Sequence, residues 1–230
     1  MKEFVTQSVY FGVVLSLIAY EVGLLLKRKC RSALVNPLLI AVLFIIGVLL
    51  VFRIDYKDYN KGAQYITYFL TPATVSLAIP LYRQLETLKK HPVAIFLSIL
   101  AGVFSAMGSI FLLALAFGLN HAQYVTLLPK SITTAIGMGV SEKMGGIVTL
   151  TVVAISISGI SGNIMAESVL KIFLIKEPIA KGLAIGTSSH AMGTTKAMEM
   201  GEIEGAMSSL AIVVTGILTV ITTAIFTKFI

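Results

Sequence analysis

Long apolar runs, separated by short polar or basic segments, dominate the pattern of this chain. A helix needs about 20 predominantly apolar residues to cross the hydrocarbon core of a bilayer. Five runs come close to or exceed that length, and they cover residues 4–26, 34–52, 93–119, 147–170 and 207–226. From Pro92 to Asn120 no charged residue occurs at all. The pattern therefore predicts an all-α, polytopic integral membrane protein.

Three other apolar segments are interrupted. Residues 63–82 contain Pro72 and Pro80, and proline removes a backbone donor and clashes with the preceding turn, so we predict hinges there. Residues 123–140 and 182–196 contain clusters of hydroxyl, lysine and histidine side chains, and we predict that these two are broken or re-entrant. We thus expect about six full spans plus two broken or re-entrant segments, in a single transmembrane domain of residues 1–230.

The distribution of basic side chains favours the re-entrant arrangement. Lys130 and Lys196 lie inside the two interrupted segments, which leaves sixteen Lys and Arg residues to count. If all eight segments cross the membrane, these divide evenly between the two sides. If residues 123–140 and 182–196 instead enter the membrane and return to the same side, ten of these basic residues lie inside and six outside. Membrane proteins carry an excess of Lys and Arg on the cytoplasmic side, so this count favours the re-entrant arrangement. The N-terminus is then outside.

A possible internal repeat has an offset of 57 residues. The segment from Pro72 to Pro80 aligns with the segment from Pro129 to Gly137, and Gly102 aligns with Gly159. Transporters are often built from repeats whose broken helices meet at the binding site. Short matches of Ala, Ile and Gly also arise by chance in apolar sequence, so both explanations stay open.

Composition excludes several classes of protein. Hydrophobic residues make up 57% of the chain and charged residues only 13%, which is too few charges for a water-facing surface. The formal net charge is +7, but the basic residues cluster at segment ends, as in Lys27–Arg31, so we expect no nucleic-acid partner. Cys30 is the single cysteine, which excludes an intrachain disulfide and a cysteine metal site. We predict no metal and no cofactor.

Residues 123–140 hold the first candidate binding site. Pro129 suits the first turn of a helix, so we predict that a half-helix begins there, with its amide groups and positive dipole end available to an anion. Lys130 adds a charge, and hydroxyls follow at Ser131, Thr133 and Thr134. A small carboxylate fits this chemistry. The alternative is that Lys130 extends to the interface and the hydroxyls bond their own helix.

Residues 182–196 have the same ingredients. Gly186 and Gly193 permit a bend, and we predict hinges at both. Ser189 and Thr194 supply donors, and His190 can donate a hydrogen bond or carry a proton. The small residues could equally serve close helix packing.

Other ionisable groups give weaker signals. Glu167 precedes Lys171 by four positions, and we expect an ion pair along one helix rather than a proton relay. The chain has no Gly-x-Ser-x-Gly, His-Glu-x-x-His or Walker motif, and adjacent Ser189 and His190 point about 100° apart on a helix. We therefore expect no catalytic residues and no enzyme activity.

Several motifs together resemble the LrgB/CidB family of bacterial membrane proteins, over essentially the whole chain. Each motif alone is weak, but their order is specific. They are Asn36-Pro37-Leu38-Leu39, Pro72-Ala73, Ala78-Ile79-Pro80-Leu81-Tyr82, Leu128-Pro129-Lys130-Ser131-Ile132-Thr133-Thr134, Gly145-Gly146, Gly182 to Thr194, and Ser208-Ser209-Leu210.

The resemblance implies two kinds of function. Some members are named antiholin-like or holin-like, after links to murein hydrolase activity and programmed lysis, and act beside a small LrgA/CidA-type membrane protein. A plastid relative resembles a glycolate/glycerate translocator, and bacterial relatives are implicated in pyruvate movement. Our leading hypothesis is a transporter of small 2-keto or 2-hydroxy monocarboxylates in the plasma membrane, with Lys130 holding the carboxylate. The alternative is a holin/antiholin-like regulator of cell lysis. We also expect a homo-oligomer.

Overall fold

The computed structural model describes residues 8–30, 35–76 and 78–230, and the regular structure in these ranges is entirely helical. The chain forms two compact units, Met1–Ser76 and Leu77–Ile230, each with its own set of packed helices.

The first unit is a small helical cluster. Its elements are α1 (Tyr10–Lys29), α2 (Pro37–Val51), α3 (Tyr56–Ala63), a 3₁₀ helix (Gln64–Phe69) and α4 (Leu70–Ser76). Asn36 caps α2, because its side chain accepts hydrogen bonds from the amides of Leu38 and Leu39 at 2.9 and 3.1 Å. The start of α1 predicted at residue 4 lies outside the described residues.

Glycines bring α1 and α3 into contact. A methyl group on Gly12 would overlap the carbonyl oxygen of Tyr59, and one on Gly62 would overlap that of Val9. The hydroxyls of Ser16 and Tyr59 lie 2.8 Å apart across the same contact. Small residues of this kind let helix backbones approach closely. The short polar stretch between the apolar segments 34–52 and 63–82 therefore contains a helix, α3.

The second unit contains the long helices. Its elements are α5 (Ala78–Arg83), α6 (Leu85–Lys90), α7 (Pro92–Phe117), α8 (His121–Leu127), α9 (Thr134–Lys143), α10 (Val148–Ile172), α11 (Pro178–Met200), α12 (Glu202–Phe226) and a 3₁₀ helix (Thr227–Phe229). One face of α7 forms the core against α8, α11 and α12, with its buried residues spaced three or four apart: Ile95, Ile99, Val103, Met107, Ile110 and Ala114.

Four described helices are long and apolar enough to cross a membrane: Tyr10–Lys29, Pro92–Phe117, Val148–Ile172 and Glu202–Phe229. Pro37–Val51 is apolar but has only 15 residues. Residues 63–82, which we predicted as one interrupted span, instead contribute to separate short helices. Pro72 and Pro80 lie in the first turns of α4 and α5, where a missing amide donor is tolerated.

Both interrupted segments contain a break, but at positions that differ from the prediction. Pro129 does not begin a half-helix: α8 ends at Leu127, residues 128–131 form turns, and α9 begins at Thr134. Within α11 the non-helical residue is His190, with φ 44° and ψ −143°. Such a φ is uncommon for a residue other than glycine. The bend therefore lies at His190, between the predicted hinges Gly186 and Gly193.

The two limbs of α11 pack on the same part of α12. In the first limb, methyl groups on Gly182 and Gly186 would overlap the carbonyl oxygens of Glu204 and Ser208. In the second limb, the hydroxyl of Thr194 lies 2.7 Å from that of Ser208, and Met198 packs against Gly205. Residues on both sides of His190 thus contact the first turns of α12, so α11 folds back on itself.

The offset of 57 residues also relates helix bounds that the sequence alignment did not pair. The broken pair α8–α9 covers residues 121–143 and α11 covers residues 178–200, a shift of 57 residues at both ends. A long helix, α10 or α12, follows each. Under the same shift His190 corresponds to Thr133, the residue immediately before α9. The two breaks are therefore equivalent in position, which favours a repeat over chance.

The packing predicts opposite effects for two glycine substitutions. Gly186→Ala places a methyl group against Ser208 and Ala211, and we expect a loss of about 1–3 kcal/mol in the free energy of unfolding. Gly108→Ala is the control, because nothing lies within 4 Å of its added methyl group and alanine favours the helix by up to about 1 kcal/mol. Unfolding of both purified variants in detergent measures the difference. Equal stability of the two would contradict the close contact.

Candidate functional site

A cavity of about 430 Å³ lies within the second unit, between α7, the break after α8 and the first limb of α11. We call it the central cavity. The small and apolar residues that line it are Gly102, Ala106, Ala180, Leu183 and Ala184, and the polar ones are Ser98, Ser105, Ser109, Lys130, Ser131, Thr187 and Ser188. Lys130 and Ser131, both predicted as binding residues, therefore line one cavity with part of the second interrupted segment.

Lys130 is the charged group of the central cavity. Two turns position it. The Lys130 amide donates to the Leu127 carbonyl at 3.1 Å, and the Ile132 amide donates to the Pro129 carbonyl at 3.3 Å. Its ammonium donates to the Ser131 hydroxyl at 3.1 Å. Among the described residues no carboxylate lies within 4 Å of this ammonium. A half-buried cation without a protein counter-ion suits an anionic ligand.

Three hydroxyls of α7 face this cavity, and sequence reasoning missed them. Ser98, Ser105 and Ser109 recur at helical spacing with Gly102 on the same face, although we predicted this run only as a clean apolar span. Ser98 and Ser109 donate to carbonyl oxygens of their own helix, at 2.7 Å each. The stripe of small polar residues at positions i, i+4, i+7 and i+11 was the available signal.

Thr187 and Ser188 enter the cavity from α11, and Thr187 was also missed. Its side chain is 6% exposed, and its hydroxyl has no hydrogen-bond partner in the part of the chain that the structure describes. A methyl group on Gly102 would lie 2.6 Å from Cγ2 of Thr187, so this glycine makes room for it. The Ser188 hydroxyl donates to the Ile185 carbonyl at 3.3 Å.

The other predicted binding residues lie outside the central cavity. Thr133 and Thr134 are at the start of α9. Buried Ser189, His190 and Thr194 make hydrogen bonds within the protein: His190 Nε2 lies 3.1 Å from the Ile155 carbonyl, and the Thr194 hydroxyl donates to the His190 carbonyl at 3.0 Å. The hydroxyls of Ser188 and Ser189 are 3.0 Å apart. These contacts fix the bend of α11.

An ion pair holds the second limb of α11 to α10. The Lys196 ammonium lies 2.6 Å from Glu167 and 3.2 Å from Glu199. The Asn163 amide donates to the Met192 carbonyl at 2.7 Å and reinforces the contact. The predicted ion pair between Glu167 and Lys171 was wrong, because the bend in α11 brings Lys196 to Glu167 instead. Sequence spacing gave no signal for a pair formed between helices.

The chemistry of the central cavity suits a small oxygen-rich anion. Its polar side chains are one ammonium and six hydroxyls, and none of the described residues that line it is a carboxylate. Metal cations need carboxylate, imidazole, thiolate or carbonyl ligands. Within residues 8–30, 35–76 and 78–230, no group of three or more His, Cys, Asp or Glu side chains could hold a metal ion.

A second cavity, of about 350 Å³, adjoins the first. Ser98, Ala180 and Leu183 line both cavities, and the second adds His91 before α7 and Glu177 before α11. The two cavities are therefore neighbours, one beside the break after α8 and the other near the N-terminal ends of α7 and α11.

Fold and cavity define the class: a helical membrane protein with a polar cavity between a broken helix pair and a bent helix. The chain belongs to the LrgB-like family, whose model matches residues 16–229. Antiholin-like protein LrgB of Bacillus subtilis (strain 168) is 41% identical over 226 residues, covering 98% of each chain. Proteins of the same name from Bacillus cereus (strain B4264) and Bacillus anthracis (strain CDC 684 / NRRL 3495) match equally. No solved structure matches the chain.

Chemical labelling can test whether water reaches the central cavity. In a Cys30→Ser background, a charged methanethiosulfonate reagent should modify Ser98→Cys in the cavity much faster, at least about tenfold, than Leu97→Cys. The two positions lie at the same depth of α7, about 100° apart around its axis. Leu97 is exposed outside the cavity. Mass spectrometry of protein in liposomes gives both rates, and equal rates would contradict a water-filled cavity.

Proposed function

We propose that this chain has an antiholin-like role in the plasma membrane, as a multi-pass regulator of murein hydrolase activity and cell lysis. The observation that supports this role is identity of 41% over nearly the full length to proteins named antiholin-like. A small membrane protein of the LrgA/CidA type is the partner that we expect, and we propose no catalytic reaction.

The central cavity favours a second candidate function, transport of a small 2-keto or 2-hydroxy monocarboxylate such as pyruvate, glycolate or glycerate. The supporting observation is Lys130, a cation in a hydroxyl-lined cavity with no carboxylate near it among the described residues. The ammonium would hold the carboxylate, and the hydroxyls would bind the remaining oxygen. The names of the relatives favour the first candidate, whereas the cavity favours the second.

We further propose that residues 123–140 and 182–196 are re-entrant, entering the membrane from opposite sides. The packing of both limbs of α11 on the first turns of α12 supports this arrangement. It also gives the second unit a clear excess of cytoplasmic positive charge. Lys143 and Lys228 fall outside, and the cytoplasmic side receives Arg83, Lys89, Lys90, Lys171, Lys176 and Lys181.

Uptake of labelled pyruvate and glycolate into liposomes that hold this protein alone tests transport. We expect saturable uptake by the natural sequence and a reduction of about 10- to 100-fold in Lys130→Gln, because the carboxylate loses a charge-assisted hydrogen bond. Lys143→Gln is the matched control, since it removes a lysine near the end of α9 that does not line the cavity. A similar loss in both variants would reject Lys130 as the binding residue.

The same liposomes separate the two candidate functions. Absence of flux by the natural sequence, both alone and with the small partner protein, would reject the transporter. Murein hydrolase activity measured in cells would then test the antiholin-like role directly. A regulator should alter that activity whether or not Lys130 is present, whereas a carrier that acts through its solute should lose the effect in Lys130→Gln.

A further inference from the structure

We propose that the second unit exchanges between two states: the one in this structure, in which the central cavity is open beside α7, and another in which an equivalent cavity opens beside α10. The ion pair between Lys196 and Glu167 sets the balance between these two states. The purpose of such an exchange rests on the transporter candidate, but the exchange itself can be measured without a solute and without flux.

The second unit contains two halves that are built alike. Each half is a long helix followed by an interrupted segment, α7 with α8–α9 and α10 with α11, and the shift of 57 residues relates their bounds to within two residues. Near the start of α10 the Thr151 hydroxyl lies 2.9 Å from the Thr126 carbonyl of α8 and 2.6 Å from the Ser141 hydroxyl of α9. Its counterpart under the shift, Ser208 of α12, contacts both limbs of α11 in the same way.

The two halves differ in how each long helix meets the break that follows it. In the second half α10 is closed on the bend, because a methyl group on Gly159 would lie 2.6 Å from the His190 ring. The same ring lies 3.1 Å from the Ile155 carbonyl. In the first half the counterpart of Gly159 is Gly102, and the atoms nearest to a methyl group on Gly102 all belong to Thr187 of α11. The central cavity lies between α7 and its own break.

The wall that α7 gives to the central cavity has a covered counterpart on α10. The shift pairs the α7 residues Ser98, Gly102, Ser105, Ala106 and Ser109 with Ile155, Gly159, Gly162, Asn163 and Ala166 of α10. Ala166 belongs to one buried cluster with Ile185 in the first limb of α11 and Ala197 in the second. The α10 face is therefore closed under α11, while the equivalent α7 face is open.

Two like halves in different states can exchange those states, and transporters built from inverted repeats change access by moving one repeat against the other. In the re-entrant arrangement each interrupted segment returns to the side from which it enters. The helices α7 and α10 then cross the membrane in opposite directions. Closing α7 on its own break, and releasing α10 from the bend, would therefore close the central cavity and open its counterpart toward the other side.

The ion pair between Lys196 and Glu167 has no counterpart in the first half. It joins the second limb of α11 to α10 at 2.6 Å. Under the shift the corresponding residues are Gly139 and Ile110, which cannot form an ion pair. The closed second half thus has a contact that a closed first half would lack. This contact favours the state of this structure, and its removal should raise the population of the other state.

Labelling of a buried cysteine in liposomes tests the exchange. In a Cys30→Ser background, Ala166→Cys replaces a side chain that is 7% exposed under α11, so N-ethylmaleimide should reach it mainly in the other state. Lys196→Gln should raise its labelling rate about threefold, the effect expected of a partly exposed ion pair. That variant leaves the Glu167 carboxylate next to the new thiol, which disfavours the reactive thiolate, so a faster rate reports opening. Glu199→Gln is the matched control, because Glu199 bonds the same ammonium at 3.2 Å from within α11.

Coupling between the halves distinguishes the exchange from a loosening of α11 alone. In the double variant Ser98→Cys/Ala166→Cys, a charged methanethiosulfonate adduct at residue 98 occupies part of the central cavity and should keep α7 from closing. Labelling at residue 166 should then slow about fivefold or more, because the other state loses population. The control is Ala166→Cys with the natural, exposed Cys30 carrying the same adduct, which should leave the rate unchanged. Mass spectrometry of the separated peptides gives each rate.

The exchange is wrong if Lys196→Gln and Glu199→Gln label at the same rate, or if the adduct at residue 98 leaves labelling at residue 166 unchanged. Ala206→Cys, in the buried core of α12, should stay unlabelled in every variant. Its labelling in Lys196→Gln would assign the faster rate to unfolding and overturn the exchange. Coupled labelling without flux would reject the transporter candidate alone, and flux without coupling would reject the exchange alone.

Discussion

A break in a membrane helix exposes backbone N–H and C=O groups that lipid cannot satisfy, and this constraint organises the second unit. Irregular backbone at membrane depth is tolerated only where protein or a water-filled cavity covers it. At His190 protein covers it, because the Thr194 hydroxyl donates to the His190 carbonyl and the His190 ring reaches the Ile155 carbonyl. At the break after α8, turns pair the amides of Lys130 and Ile132, and the central cavity lies beside Lys130 and Ser131.

Small residues allow neighbouring helices to pack closely around the bend in α11. Gly182 and Gly186 let the first limb of α11 lie directly on α12, and Gly162 leaves space for the Ser189 side chain beside α10. Lys196 and Glu167 then join the second limb to α10. Apolar side chains alone cannot fix a helix pair in lipid, since lipid is as apolar as leucine. Close backbone contact and polar bonds between helices therefore set the position of the bend, and with it one wall of the cavity.

Features that depend on local sequence could be predicted, and those that depend on tertiary contacts could not. Length and hydropathy predicted α7 and α10 to within a few residues, and the polar clusters predicted where helices are interrupted. The bend at His190 was not predictable, because its φ of 44° and ψ of −143° lie outside the left-handed helical region in which histidine is sometimes found. Lys130 was found through its charge. Thr187 and Ser105 carry no charge, and a hydroxyl in an apolar helix more often bonds its own backbone.

Whether polar side chains in the second unit have partners within the protein bears on the two candidate functions. Polar groups that hold helices together pair with each other, as the hydroxyls of Thr194 and Ser208 do. The central cavity instead contains an ammonium with no carboxylate within 4 Å among the described residues. A carrier must also release its solute, which requires a site of few contacts. One ammonium among hydroxyls meets that requirement and is the physical argument for the transporter candidate, whereas the names of the relatives favour the antiholin-like role.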